Sequence, residues 1–455
     1  MVLWVNTPRL NPHPREQITR KAITVWVFAV LVYVVAITGR TSFGVASVDA
    51  IERFDVDASR IAVFTSVQIG VYAFAQIPVG MLTDRFGPRK MLVVGAIIMA
   101  VGQVILAFST SYWVAIIARI FIGAGDATAF LSVMRILPYW FPLKKTPLFT
   151  QMTAAIGQTG QFLSAVPFLA LLHGPGWTPA FLSLGALGII IALAAWVAVA
   201  DSPEAWAAAE KGTKKEKKPA PDRMPIGTLL ATVFREPLCW QGFFNHYASM
   251  MPQIVFTLLW GVPMMTLGMG LSPSTVGMVL SINVVASMVA GPILGPISAR
   301  MGSNRVVAAI IFAGCIGLAW IIFFLPAEPR GVTAIIVVNI VMALFTPSSN
   351  YGFDDIREGL DRRIVATATG MANMGGFFAG MFAAQAVGFL LDYSSDGAAY
   401  TWADFRLAWW AVIIAWGIGI IGLVIFRFIV ARRRTRREQA GLGSGTVRIV
   451  ESSDG

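Results

Sequence analysis

Apolar runs of about 20 residues follow one another along this chain, separated by short polar or basic turns. A helix crossing the hydrocarbon layer needs about that many apolar residues at a rise of ~1.5 Å each. About twelve runs meet the requirement, near 22–48, 61–82, 91–108, 112–137, 148–172, 179–200, 240–267, 276–297, 306–325, 332–351, 364–391 and 405–430. The pattern predicts an all-α membrane protein of twelve transmembrane helices.

The turns carry a repeat. GMLTDRFGPRK, Gly80 to Lys90, returns 215 positions later in worn form as GPISARMGSNR, Gly295 to Arg305. Gly80, Arg85, Gly87 and Lys90 fall on Gly295, Arg300, Gly302 and Arg305, and the same offset brings Gln158, Gly160 and Phe162 onto Asn373, Gly375 and Phe377. One register shared by two separate segments indicates two parallel halves. The charged, proline-bearing stretch from Asp201 to Glu236 has no apolar period and reads as the linker between them. The expected organisation is a polar tail (1–21), a six-helix bundle (22–200), a cytoplasmic linker (201–239), a second six-helix bundle (240–430) and a basic, disordered tail (431–455).

Composition agrees: 56% of the 455 residues are hydrophobic, only 13% are charged, and the 43 Gly suit close helix packing. A net charge of +11 raises the question of nucleic acid, and the distribution answers it. With a cytoplasmic N-terminus, about 28 Lys and Arg fall in cytoplasmic segments, against about four in outer loops (Arg53, Arg60, Arg330, Arg406). The basic patches are therefore topology signals that put both termini inside, not a phosphate-binding face. The first residues show no removable signal peptide. Cys239 and Cys315 are too isolated for a disulfide framework, and no spacing of ligands suggests a metal, a cofactor or a catalytic constellation. Without a nucleotide-binding loop, energy must come from an ion or solute gradient.

The chain resembles the major facilitator superfamily over nearly its full length, through Gly80, Asp84, Arg85, Gly87, Arg89 and Lys90 between the second and third runs. In that family the loop latches the two bundles on the cytoplasmic side and releases as they rock. The second copy has Ala299 in place of Asp84 and Asn304 in place of Arg89, so the resemblance implies a weaker latch there. ARIFIGAGDA in the fourth run is similar to the family's Arg-x-x-x-Gly-x-Gly helix through Arg119, Gly123 and Gly125. Arg40, in TGRTSFGVAS, is similar to the first-helix arginine with which the organic anion and anion:cation symporter branches meet a carboxylate or phosphate, although Gly39 stands where an acid often precedes it. The resemblance implies alternating access by a monomer in the cell membrane. The Gly-rich eleventh run is loosely similar to nitrate/nitrite porters, but their arginine pair in the second and eighth spans is missing.

Three ionisable residues carry the chemistry. Arg40 offers forked donors to a planar anion, and snorkelling at the outer interface is its alternative role. Asp126 follows Arg119 by two turns on one helix face and is the one carboxylate that the runs place well inside a span. Either Asp126 loads and releases a proton, or it neutralises Arg119; for Arg119 itself the resemblance implies a part in proton coupling. The seventh run contributes Gln241, Asn245, His246, Tyr247 and Gln253 around Pro252, which suits a kinked cavity wall; His246 is either a proton relay or a packed residue. Tyr33, Gln68, Tyr72, Gln76 and Asn373 complete the expected lining. The sequence thus points to proton-coupled movement of a small organic anion, with uptake the expected direction and proton-driven efflux of a drug or metabolite the alternative.

Overall fold

The computed structural model describes residues 17–56, 58–210, 224–396 and 398–439, and among these every long element is helical. In chain order they are α1 (Arg20–Val45), α2 (Ala58–Phe86), α3 (Pro88–Phe108), α4 (Tyr112–Trp140), α5 (Leu143–His173), α6 (Trp177–Ala198), α7 (Pro237–Gly268), α8 (Pro273–Met301), α9 (Arg305–Phe324), α10 (Val332–Gly359), α11 (Val365–Ser395) and α12 (Trp402–Arg436). Eleven stretches among the described residues are long and apolar enough to cross a membrane. One of them, Ser274–Phe324, holds 51 residues. As one straight helix it would run roughly 76 Å, far beyond a hydrocarbon layer of ~30 Å. It is in fact two helices, α8 and α9, separated by a turn at Gly302, whose φ is +48°; across that turn Arg305 Nε donates to the Ser298 carbonyl at 2.8 Å.

Local sequence sets where helices begin and bend. Pro88, Pro237 and Pro273 occupy first turns, where their missing N–H costs nothing. Thr19 and Ser272 cap α1 and α8 by accepting from the Ala22 and Thr275 amides. Proline inside a helix removes a backbone donor, and Pro167 lies in a widened turn of α5, Ser164–Phe168, while Pro263 lies between two such turns of α7, Phe256–Trp260 and Met264–Gly268.

Within the N-terminal half α4 packs on α1, α2 and α3, and within the C-terminal half α7 packs on α11 and α12 and α8 on α10. Between halves, α2 meets α11 and α5 meets α8. Close approach at these seams depends on small residues: a Cβ on Gly80 would come within 2.7 Å of the Ala366 carbonyl oxygen. The Gly80–Lys90 turn lies at the same end of the molecule as the first turn of α1 and the last turns of α12. Arg89 N–H bonds Asp201, Lys21 reaches Glu210 at 2.6 Å, and Arg433 reaches Glu236 at 2.9 Å. We call this the loop end. Lys21 and the Trp206 indole hold the Glu210 carboxyl below the usual carboxylate range.

Two features depart from the sequence reading. The stretch 201–239 is not devoid of apolar period: it contains helices Pro203–Glu210 and Ile226–Arg235, the latter burying Leu229 and Val233 on one face. The tenth helix runs on past Tyr351 to Gly359, because the charges of its last turns pair with one another and with Arg305 of α9 inside the bundle. The centre of the linker (211–223) and most of both tails (1–16 and 440–455) lie outside the described residues.

Candidate functional site

A cavity of about 230 Å³ lies between the halves, lined from α1, α2, α4 and α5 on one side and α7, α8, α10 and α11 on the other. Its wall runs from Gln151 and Gly291, near the loop end, to Gln161 and Leu280 in the opposite half of the bundle. Toward the loop end the halves are tied together. Asp84 accepts from the Ala366 amide (3.1 Å), the Thr367 amide (2.8 Å) and the Thr367 hydroxyl (2.7 Å), in the first turn of α11, and pairs with Arg135 at 3.4 Å. These are good partners for a carboxylate, since the first turn of a helix presents unpaired N–H groups and positive potential. Arg135 also donates to the Arg362 carbonyl, Gln151 to the Pro347 carbonyl and Arg357 to the Thr150 hydroxyl. The rest of the first loop serves its own half: Gly87 takes a φ of +87°, Arg89 donates to the Trp196 carbonyl, Arg85 lies by Phe86 and Lys90 is exposed.

The second copy is built differently. Gly295 packs on Leu148 of α5, while Arg305 turns inward and donates to Asp355 (3.3 Å) and Glu358 (2.7 Å) within its own half. Arg357 pairs with Asp354 at 2.8 Å, and Asp354 accepts from Ser298. Asp354, Asp355, Arg357 and Glu358 fall between the apolar runs that end at 351 and resume at 364, because dense charge hid the helix. Asp126 is therefore not the one carboxylate deep among the helices.

Beside the cavity, Arg40 and Asp126 form a forked pair. Arg40 Nε and Nη2 donate to the two Asp126 oxygens at 2.6 and 2.9 Å, with Asp126 wholly buried and the Arg40 side chain 16% exposed. The guanidinium carbon lies 4.5 Å from the Tyr72 ring centre and 5.7 Å from that of Phe377. The Tyr72 phenol is a further polar partner of this cavity-lining guanidinium. The expected alternative pairing of Asp126 with Arg119 is not what the structure holds. Arg119 points instead at the Phe43 ring, 4.7 Å away, and its Nε and Nη1 are buried without a partner among the described residues.

The remaining candidates separate by position. Tyr33, Tyr72, His246 and Asn373 line the cavity with Arg40; Gln68, Gln76 and Asn245 do not. Gln76 accepts from Asn373 at 2.8 Å, and Asn373 also donates to the Tyr72 hydroxyl at 3.2 Å, so these three clasp α2 to α11. Asn245 donates to the Ser348 and Ser349 carbonyls, tying α7 to α10. His246 Nδ1 accepts from the Gly376 amide at 3.1 Å, which requires that nitrogen to be unprotonated and puts the ring proton on Nε2. Amides missing from the sequence list, namely Gln151, Gln161, Asn283 and Asn350, also line the wall. Each stands inside an apolar run, a signal available in the sequence.

Helices from the two halves of the chain enclose a solute-sized chamber and are tied together toward the loop end, an arrangement found in membrane transporters. Residues 29–384 match the Major Facilitator Superfamily, and the chain belongs to it. It is a transporter and not an enzyme. It is 24% identical over 378 residues to a probable sulfoacetate transporter of Cupriavidus necator, covering 80% of this chain and 85% of that one. It is 23% identical over 439 residues to an uncharacterized transporter of Bacillus subtilis (91% and 96% covered), and 22% identical over 413 residues to a probable L-galactonate transporter of Escherichia coli (86% and 85%).

Proposed function

We propose that this transporter moves a small organic anion into the cell together with a proton. The observation that carries the reading is the forked Arg40–Asp126 pair at the cavity wall. A carboxylate or sulfonate on the solute presents the same planar or clustered oxygens as Asp126 and competes for the same guanidinium. While Asp126 is ionised it holds Arg40; once protonated it no longer compensates the cation, and the solute takes its place. Proton and anion then load together, which is symport. Sulfoacetate and L-galactonate, named for two relatives, are both anions of this kind. A cationic solute would meet the Arg40 charge, so efflux of cations fits this wall poorly.

The same reading takes α1 to α12 as twelve crossings, with the loop end and both termini cytoplasmic by the excess of Lys and Arg there. The sealed loop end then corresponds to an outward-facing state. The protein acts as a monomer in the cell membrane.

Counterflow into proteoliposomes tests the substrate class. Labelled sulfoacetate, galactonate and a lipophilic cation are offered to vesicles preloaded with the same unlabelled compound. An anion should exchange, the cation should not, and Arg40→Ala should abolish anion exchange. Exchange of the cation alone, or an Arg40→Ala protein as active as the parent, would sink the reading.

A further inference from the structure

We propose that the end of α12 and the linker helix Ile226–Arg235 together form a binding site for an anionic phospholipid of the loop-end leaflet, its phosphate held by Arg432 and Arg436. The site lies on the lipid-facing surface, away from the cavity, and does not rest on the anion reading above.

From Trp410 the last helix runs unbroken to Gln439, 30 residues, so 431–439 continue the helix where a disordered tail was expected. At a rise of ~1.5 Å per residue that is roughly 45 Å, about 15 Å more than the hydrocarbon layer needs. Ile418, Ile421, Ile425, Phe428, Arg432 and Arg436 are all exposed and follow one another by three or four residues. At 3.6 residues per turn they lie within about 40° of one line along the helix. A face of bare isoleucine and phenylalanine within a span is a face on lipid. The same face turns cationic one turn after Phe428, so Arg432 and Arg436 project toward the headgroups and not toward the bundle. Neither has an acidic partner among the described residues, whereas Arg433, on another face, pairs with Glu236 at 2.9 Å.

A second element reaches the same level. Helix Ile226–Arg235 packs Leu229 and Val233 against the bundle, yet Ile226 and Phe234 are exposed and Leu230, midway between them, is only partly covered. Their spacing of four makes one apolar stripe on a helix that lies outside the spans. Its end is fixed beside α12: the Trp240 indole donates to the Phe234 carbonyl at 2.8 Å, and the Trp240 ring lies 5.9 Å from that of Phe426. Phe426 is two residues before Phe428, and Glu236 meets Arg433, so the linker helix touches α12 where the lipid face of α12 turns basic. A short helix with an uncovered apolar stripe at that depth lies in the interface, where an indole such as that of Trp240 also belongs. The chemistry of the occupant follows. Two guanidiniums without acidic partners take a phosphate, the apolar stripes take acyl chain, and charge complementarity favours a lipid of net negative charge over a zwitterionic one.

Phosphatidylglycerol and phosphatidylcholine with identical acyl chains differ in headgroup charge, so they serve as the probes. Retention of each by the purified full-length protein is titrated by native mass spectrometry for the parent, Arg432→Gln/Arg436→Gln and Phe234→Ser. Lys144→Gln/Lys145→Gln is the control, removing two exposed cations at the start of α5, at the same end of the molecule. The parent should hold phosphatidylglycerol about tenfold or more tightly than phosphatidylcholine. Loss of both arginines should weaken phosphatidylglycerol roughly twentyfold and leave phosphatidylcholine within about twofold. Phe234→Ser should weaken both lipids alike, because their acyl chains are the same, and the lysine pair should stay within about twofold of the parent. Excess glycerol 3-phosphate should displace neither lipid. Absence of a phosphatidylglycerol preference, equal weakening by the lysine and arginine pairs, or unchanged retention in Phe234→Ser overturns the site. Displacement by glycerol 3-phosphate makes it a site for a soluble phosphate and overturns the lipid assignment.

Discussion

A buried carboxylate held by one arginine and lying near a second has an electrostatic situation that single substitutions unbalance. Asp126 is paired with Arg40, while Arg119, on the same helix as Asp126, keeps two nitrogens without a partner among the described residues. The other titratable groups acting on the pair are Tyr33 and Tyr72. In the proposed mechanism acid favours solute binding, because protonation of Asp126 releases Arg40; affinity should fall as pH rises through the titration of Asp126. Asp126→Asn mimics the protonated group, so its anion affinity should be high and flat across a pH range over which the parent's declines. Titrations of anion binding across that range check this, and an Asp126→Asn protein with the parent's slope would contradict it. Asp126→Ala leaves Arg40 buried and uncompensated as well, a change that costs about 3–5 kcal/mol where a buried pair is broken from one side. A clear fall in thermal stability should follow, larger than for Asp126→Asn, whose amide oxygen still accepts from Arg40. Much of this was legible in the sequence, since Arg40, Arg119 and Asp126 stand out as charges inside apolar runs. Their partners were not. Spacing along one helix suggested Arg119 for Asp126, whereas contact across helices, which no single-chain periodicity encodes, supplies Arg40.

Among helices, the α2–α11 seam is where rocking must be resisted and released. Asp84 gathers three donors from the first turn of α11, and Asn373 clasps Gln76 and Tyr72 further along. Hydrogen bonds to a charged group contribute about 1.5–3 kcal/mol each at most, and less when water competes once the seam opens. Asp84→Ala should therefore shift the balance toward opening at the loop end. An Asn350→Cys reporter at the cavity wall, in a background without Cys239 and Cys315, should then react several-fold faster with an impermeant thiol reagent added on the loop side. Unchanged reactivity would show that Asp84 is not part of the seal. The sequence displayed this element well, because the Gly80–Lys90 turn and its second copy stand between apolar runs. It concealed the end of α10, where YGFDDIREG carries too many charges to look like buried helix until Arg305, folded in from the α8–α9 turn, is seen to neutralise Asp355 and Glu358. It likewise concealed the helix Ile226–Arg235, ten residues long and attached by one face only.

For the whole molecule, the two halves divide the labour. The N-terminal half supplies the charged pair, and the C-terminal half supplies an uncharged, amide-rich wall. This asymmetry cuts across the repeat carried by the duplicated turns, which signals two halves and says nothing of the chemistry that each supplies. Alternation between the two open states must carry solute and proton together, or the Arg40–Asp126 pair has no transport role. The decisive measurement is accumulation in proteoliposomes under an imposed pH gradient, acid on the face opposite the loop end, using an anion that exchanges in counterflow. The account predicts that the parent protein accumulates the anion above its equilibrium level, and that Asp126→Asn exchanges it but does not accumulate it. Gradient-driven accumulation by Asp126→Asn equal to the parent's would contradict the account.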